Sequence, residues 1–102
     1  MNQQLIRYRT KPEYAARNEE LIRAVYAELH QTHPEGLRYA AFKLSDGVTF
    51  LHVVQNEDSN SPSPLLTVKA FSEFQEGLAE RRADGLSRDE LIPIGSYRVF
   101  DA

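Results

Sequence analysis

His52 stands in the apolar run Phe50-Leu51-His52-Val53-Val54, and it is the residue of this chain best suited to proton chemistry. An imidazole titrates near working pH, so a neutral His52 could act as general base toward an acidic proton such as that of a phenol, whose anion could then meet dioxygen. The same surroundings suit a core histidine hydrogen-bonded to a neighbouring strand or to a second chain. Arg7 and Arg9 flank Tyr8 and share one face if that segment is a strand. With Ile6 and Tyr8 packed under helices, the arginines face the other way. Arg7 could there hold a carboxylate or phenolate ligand, or form an ion pair between subunits. Tyr39, Tyr97 and Arg98 are further ligand-binding candidates by their positions on predicted strands, although tyrosines on a strand face more often fill an interface.

Other chemistries lack their residues. His30 and His33 form an H-x-x-H pair with only Glu28 and Glu35 near in sequence, which is short of a convincing third ligand, so no metal site is expected. The chain has no cysteine, which removes thiolate ligands, disulfides and cysteine nucleophiles and fits a reducing compartment. No phosphate-binding glycine loop and no strained serine turn is present, and no cofactor is expected.

Four strands and two helices are predicted to position these groups. Residues 4–10 alternate Ile6, Tyr8 and Thr10 against Leu5, Arg7 and Arg9, as a strand does, and Lys11-Pro12 closes it. Pro12 suits the first turn of a helix. Beyond it Tyr14, Leu21, Ile22, Val25 and Leu29 fall within about 100° of helical arc. Asn18 lies near the centre of that apolar arc, where an unpaired amide would cost about 1–3 kcal/mol. It is therefore expected to tie the helix to a strand. Pro34 and Gly36 end the helix.

Residues 37–44 and 48–55 read as strands joined by Ser45-Asp46-Gly47, a hairpin signal in which both central residues tolerate positive φ. Residues 56–64 combine turn formers and two prolines into a loop. From Thr67, Val68, Phe71, Phe74 and Leu78 follow helical spacing in a single second helix, with Gly77 in its interior as a weak point or a close approach. Residues 83–89 are expected to be loop, and residues 91–100, LIPIGSYRVF, a final strand pushed toward an edge by Pro93 and Gly95.

The order βαββαβ is that of a ferredoxin-like α+β domain, an antiparallel sheet ordered 4-1-3-2 with two helices on one face. The 102 residues, 41% apolar and 26% charged, suffice for this single domain, spanning 1–102, and for little more. A chain this size buries about 65% of its unfolded surface. No apolar run is long enough for a membrane span and no leader precedes the first strand, so a soluble, cytoplasmic protein is expected. The net charge of −3 and the absence of a basic stripe speak against nucleic acid. The third-strand signature of RNA-binding sheets is also unmatched in Asp46 to Val53, which lacks its basic residue and its flanking aromatics.

Two-sided apolar content, with Leu5, Tyr39, Phe50, Val54, Tyr97 and Phe100 spread over both sets of strand faces, means that something must cover the sheet opposite the helices. The segments LIRYRTKPEY, NEELIRAVYAEL, DGVTFLHVV and GSYRVF resemble those of the dimeric α+β barrel superfamily that includes the antibiotic-biosynthesis-monooxygenase-like domains. That resemblance implies a homodimer in which two sheets pack face to face. It also implies a small organic ligand held in the barrel or between sheet and helices, and in some relatives cofactor-independent oxygenation. The Asn, Trp and His set of the haem-degrading relatives is missing, since the chain has no tryptophan and Leu5 stands near the strand-1 Asn position. The resulting expectation is a homodimer binding a small aromatic or acidic organic molecule, with monooxygenation as its sharper form and a non-catalytic ligand-binding, dimerisation or regulatory module of the same fold as the alternative.

Overall fold

A computed structural model describes residues 2–99. Strand β1 (Asn2–Arg9) leads through a short 3-10 turn (Pro12–Tyr14) into helix α1 (Ala15–Thr32). Strands β2 (Leu37–Lys43) and β3 (Thr49–Asn56) form a hairpin. A second 3-10 turn (Pro64–Thr67) precedes helices α2 (Lys69–Gln75) and α3 (Leu78–Arg81), and strand β4 (Ser87–Glu90) follows. The sheet is antiparallel throughout, in the order β2-β3-β1-β4, as predicted.

The helices lie on one side. Tyr8, Ile22, Val25, Phe50, Leu65, Val68, Ala70 and Phe74 form the buried cluster between them and the sheet. Strand alternation sends Ile6 and Tyr8 of β1, Tyr39 and Ala41 of β2, and Phe50, His52 and Val54 of β3 toward the helices. Leu5, Arg7 and Arg9, with Arg38, Ala40 and Phe42 and with Leu51 and Val53, take the other face. No helix among the described residues is long and apolar enough to cross a membrane.

Three local expectations are corrected. The second helix is two helices, because Gly77 has φ +82° and ends α2 in the left-handed region that an L-residue enters only with strain. The hairpin turn uses positive φ at Gly47, and Asp46 does not share it. Asp46 instead accepts from the Val48 and Thr49 amides and from the Thr49 hydroxyl.

The last strand falls on Ser87–Glu90, within and just beyond the segment expected to be loop, where it pairs with Gln4–Arg7. All four of its residues are exposed, so it forms by backbone hydrogen bonding along the free edge of β1 and leaves no apolar pattern to read. The expected strand at 91–100 is irregular over its described part and exposed beyond the half-buried Leu91, with Ile94 and Tyr97 101% and 81% accessible. Pro93 has no N–H to give a ladder, and Phe100 lies outside the described residues.

Helix α2 lacks a cap of its own. Its first amides, of Lys69 and Ala70, donate to the Glu28 carboxylate of α1 at 2.9 Å each, a cap supplied from the neighbouring helix.

Candidate functional site

The register of the sheet builds the site around His52. Its direct neighbours are Ile6 on β1 and Ala41 on β2, so the residues two further along each strand, Tyr8 and Tyr39, are its diagonal neighbours on the same face. Diagonal pairs are within reach of aromatic side chains. Tyr8 Oη lies 2.8 Å from His52 Nε2, and Tyr39 Oη lies 2.5 Å from His52 Nδ1. His52 is 3% exposed, with both ring nitrogens occupied and the Phe74 ring 5.4 Å from its own.

The polar chain continues past Tyr8. Asn18 Nδ2 donates to Tyr8 Oη at 2.8 Å, and Arg81 Nε donates to Asn18 Oδ1 at 3.0 Å. Asn18 is fully buried and ties α1 to β1, as its place in the apolar arc predicts. Arg81 is buried too, and its other donors reach the Phe74 and Glu76 carbonyls at the end of α2. Among the described residues no carboxylate pairs with it. The Phe74 ring, 5.4 Å from the guanidinium carbon, and the orphan carbonyls of a helix end compensate its charge instead.

Burial sets the protonation of this chain. Loss of water pushes the His52 pKa down to about 4, so the ring is neutral near pH 7. Burial likewise raises the Tyr8 hydroxyl to about 12, against the opposing pull of the Asn18 hydrogen bond and the Arg81 charge. Tyr39 is raised by burial, with Tyr26 and Tyr8 adding to the effect.

A cavity of about 170 Å³ opens between the sheet and the second helical segment, and Tyr8, Tyr39 and His52 lie in its wall. Ile6, Val54, Leu65, Phe71, Phe74 and Leu78 make most of the remaining wall apolar, while Gln4, Gln75 and Arg88 bring polar groups to it. Gln75 and Arg88 are exposed, and Arg88 Nη1 donates to Gln4 Oε1 at 3.2 Å. Among the described residues, Arg88 is the only charged one in the lining. A 150 Å³ apolar cavity holds one benzene ring, so this one suits a single aromatic ring with a small polar substituent.

The residues singled out from sequence do not all meet here. His52 and Tyr39 share the cavity wall. Arg7 pairs with Leu51 on the opposite face of the sheet and is exposed, so it does not converge with His52 on one pocket. Tyr97 and Arg98 lie in the exposed segment after β4, with the Arg98 guanidinium 5.5 Å from the Tyr97 ring centre and φ +52° at Arg98. They do not line the cavity. Among the described residues no group of three metal-ligating side chains occurs. Tyr8, Asn18, Arg81 and Arg88 were not identified as site residues from sequence. Asn18 carries a signal, as a polar residue in an apolar arc, whereas Arg81 and Arg88 carry none, since neither α3 nor β4 writes a pattern of its own into the sequence.

No protein-family profile matches the sequence, and no curated protein matches it. Its fold has many counterparts among solved structures. An antibiotic biosynthesis monooxygenase is similar over 93% of this chain and 100% of its own, at 14% identity and a TM-score of 0.74. PA3566 from Pseudomonas aeruginosa is similar over 92% and 95%, at 20% identity and 0.70. A mutant of SnoaB, a cofactor-independent oxygenase from Streptomyces nogalater, is similar over 93% and 94%, at 11% identity and 0.66. The four-stranded antiparallel sheet with its helices on one face is thus the ferredoxin-like α+β fold of the antibiotic biosynthesis monooxygenase-like proteins.

Proposed function

We propose that this protein binds a small aromatic molecule, carrying an acidic or oxygen-bearing substituent, in the cavity between its sheet and helices. The observation that carries this reading is an apolar cavity of one-ring size with an aromatic hydroxyl, Tyr39, in its wall and a cation, Arg88, among its lining residues. Apolar walls with a few placed polar groups are the usual make-up of a small-molecule site. Arg88 takes the anion-holding part expected of Arg7, because β4 brings it to the helix side of the sheet. His52 serves to hold Tyr39, since neither of its nitrogens is free to face a ligand.

The working unit is a homodimer. Leu5, Ala40, Phe42, Leu51 and Val53 form an apolar centre on the sheet face that carries no helix, and a second copy of that face is the partner that matches it. Cofactor-independent oxygenation is the second reading, favoured by the structural likeness to the Streptomyces oxygenase. In that case a phenolic ligand supplies the electrons to dioxygen, and its O–H hydrogen and one ring hydrogen leave as water as the quinone forms.

Titration of the protein with benzoate, 4-hydroxybenzoate and acetophenone, followed by amide shifts, tests binding. Oxygen uptake with the phenol tests turnover. Saturable shifts at cavity residues support the site, and no shift with any of the three overturns it. Sedimentation at micromolar concentration tests the dimer, which a species of 11.7 kDa, the mass of one chain, would overturn.

A further inference from the structure

We infer that the series Arg81, Asn18, Tyr8, His52 and Tyr39 is a one-way run of hydrogen bonds ending in a Tyr39 O–H offered to the cavity, so that the site selects ligands bearing an acceptor oxygen. The inference rests on the cavity being the ligand site and adds which atom reads the ligand and what fixes its direction.

Donor counting carries it. Arginine can only donate, so the Asn18 atom facing Arg81 Nε is the carbonyl oxygen and the atom facing Tyr8 is the amide nitrogen. Tyr8 Oη therefore accepts from Asn18, and its own hydrogen needs an acceptor. Among the described residues its remaining partner is His52 Nε2. Tyr8 is 2% exposed, so any other arrangement leaves a buried hydroxyl hydrogen unpaired. Nε2 is thus the bare nitrogen of the neutral ring, and Nδ1 carries the hydrogen and donates to Tyr39 Oη. The Tyr39 hydrogen is left over at the one hydroxyl of the series whose oxygen has no further partner among the described residues, on the cavity wall. An aryl carbonyl or phenolate oxygen accepts it. Asn18 and Arg81 are positioning residues that act through Tyr8 and His52.

The test uses the full chain and two parts. Nitrogen NMR of the His52 ring at neutral pH is expected to show a protonated Nδ1 and a bare Nε2. In Asn18→Asp the new carboxylate can only accept, Tyr8 turns its hydrogen toward it, and the His52 tautomer is expected to reverse. A wild-type ring protonated at Nε2, or a ring unchanged by Asn18→Asp in a folded variant, overturns the one-way run. Fluorine NMR then compares para-fluoroacetophenone with para-fluoroethylbenzene, which match in shape but differ in the acceptor oxygen. The wild type is expected to prefer the ketone about five-fold, as one net hydrogen bond allows, and Tyr39→Phe to bind both equally. A preference that survives Tyr39→Phe, or none in the wild type, overturns the selectivity. Failure of both compounds to bind removes the cavity as a ligand site and the selectivity with it, while the tautomer result separately decides the direction of the run.

Discussion

The Tyr39 hydroxyl lies 2.5 Å from His52 Nδ1, two positions along β2 from Ala41, the residue directly opposite the histidine. A small side chain at the direct position and an aromatic at the diagonal one let β2 reach the imidazole without crowding it. Because β3 lies between β2 and β1, the same offset on the other side brings in Tyr8. The histidine is thus held by its two neighbouring strands and buried by Phe74 above it.

Replacing Asn18 with leucine is expected to destabilise the fold by about 3 kcal/mol, because the buried guanidinium of Arg81 loses its Nε acceptor and Tyr8 loses a donor. Urea unfolding checks this as a lower midpoint at unchanged slope. A loss below about 0.5 kcal/mol would mean that the series has no structural weight.

Stability is expected to fall on mild acidification. His52 titrates at about 4 in the folded chain against 6.5 unfolded, so between those values the unfolded state binds the extra proton. Its contribution, about 3 kcal/mol, is complete above pH 6.5 and is lost as pH falls toward 4. Glu19, Asp46 and Asp58, held down mainly by side-chain hydrogen bonds to Lys43, Thr49 and Ser61 respectively, lose theirs at lower pH. Urea midpoints measured from pH 8 to 4.5 should slope in the wild type and flatten in His52→Gln. Equal slopes would assign the effect elsewhere.

Gly77→Ala is expected to cost about 1–2 kcal/mol, since φ +82° places a Cβ in the left-handed region. The added carbon would also sit 3.4 Å from Arg81 Nη1. Thermal unfolding reads the cost, and Gly77→Asn, which tolerates that conformation better, should recover part of it.

These positions also show how far the sequence could be read. Periodicity located β1, α1 and the β2–β3 hairpin, because each buries one face and so writes its period into residue type. It merged α2 with α3 because Val68, Phe71, Phe74 and Leu78 keep helical spacing across Gly77, whose effect is conformational. It missed β4 because Ser87–Glu90 is exposed on every residue, and it assigned a strand to the apolar residues that follow. His52 and Tyr39 were legible as strand residues of the right chemistry. Their convergence was not, since that depends on the β2–β3 register. Arg7 illustrates the limit: it lies on the face opposite Ile6 and Tyr8, across the sheet from the cavity that His52 and Tyr39 line.

Arg7→Ala is accordingly expected to leave ligand affinity in the cavity within about two-fold, while Arg88→Ala weakens an anionic ligand such as benzoate about five-fold by removing an exposed charge contact. Isothermal titration of both variants separates the two sides of the sheet. A larger loss in Arg7→Ala than in Arg88→Ala would put the site on the open face.

The central claim is that ligand binds between the sheet and the helices, beside Tyr39 and His52. Its most direct measurement is a map of amide and side-chain NMR shifts on titration with para-fluoroacetophenone. The expected result is saturable shifts concentrated at Tyr8, Tyr39, His52, Phe74 and Leu78, with Arg7, Leu51 and Val53 little changed. Shifts concentrated at Arg7, Leu51 and Val53, with His52 and Tyr39 silent, would contradict it.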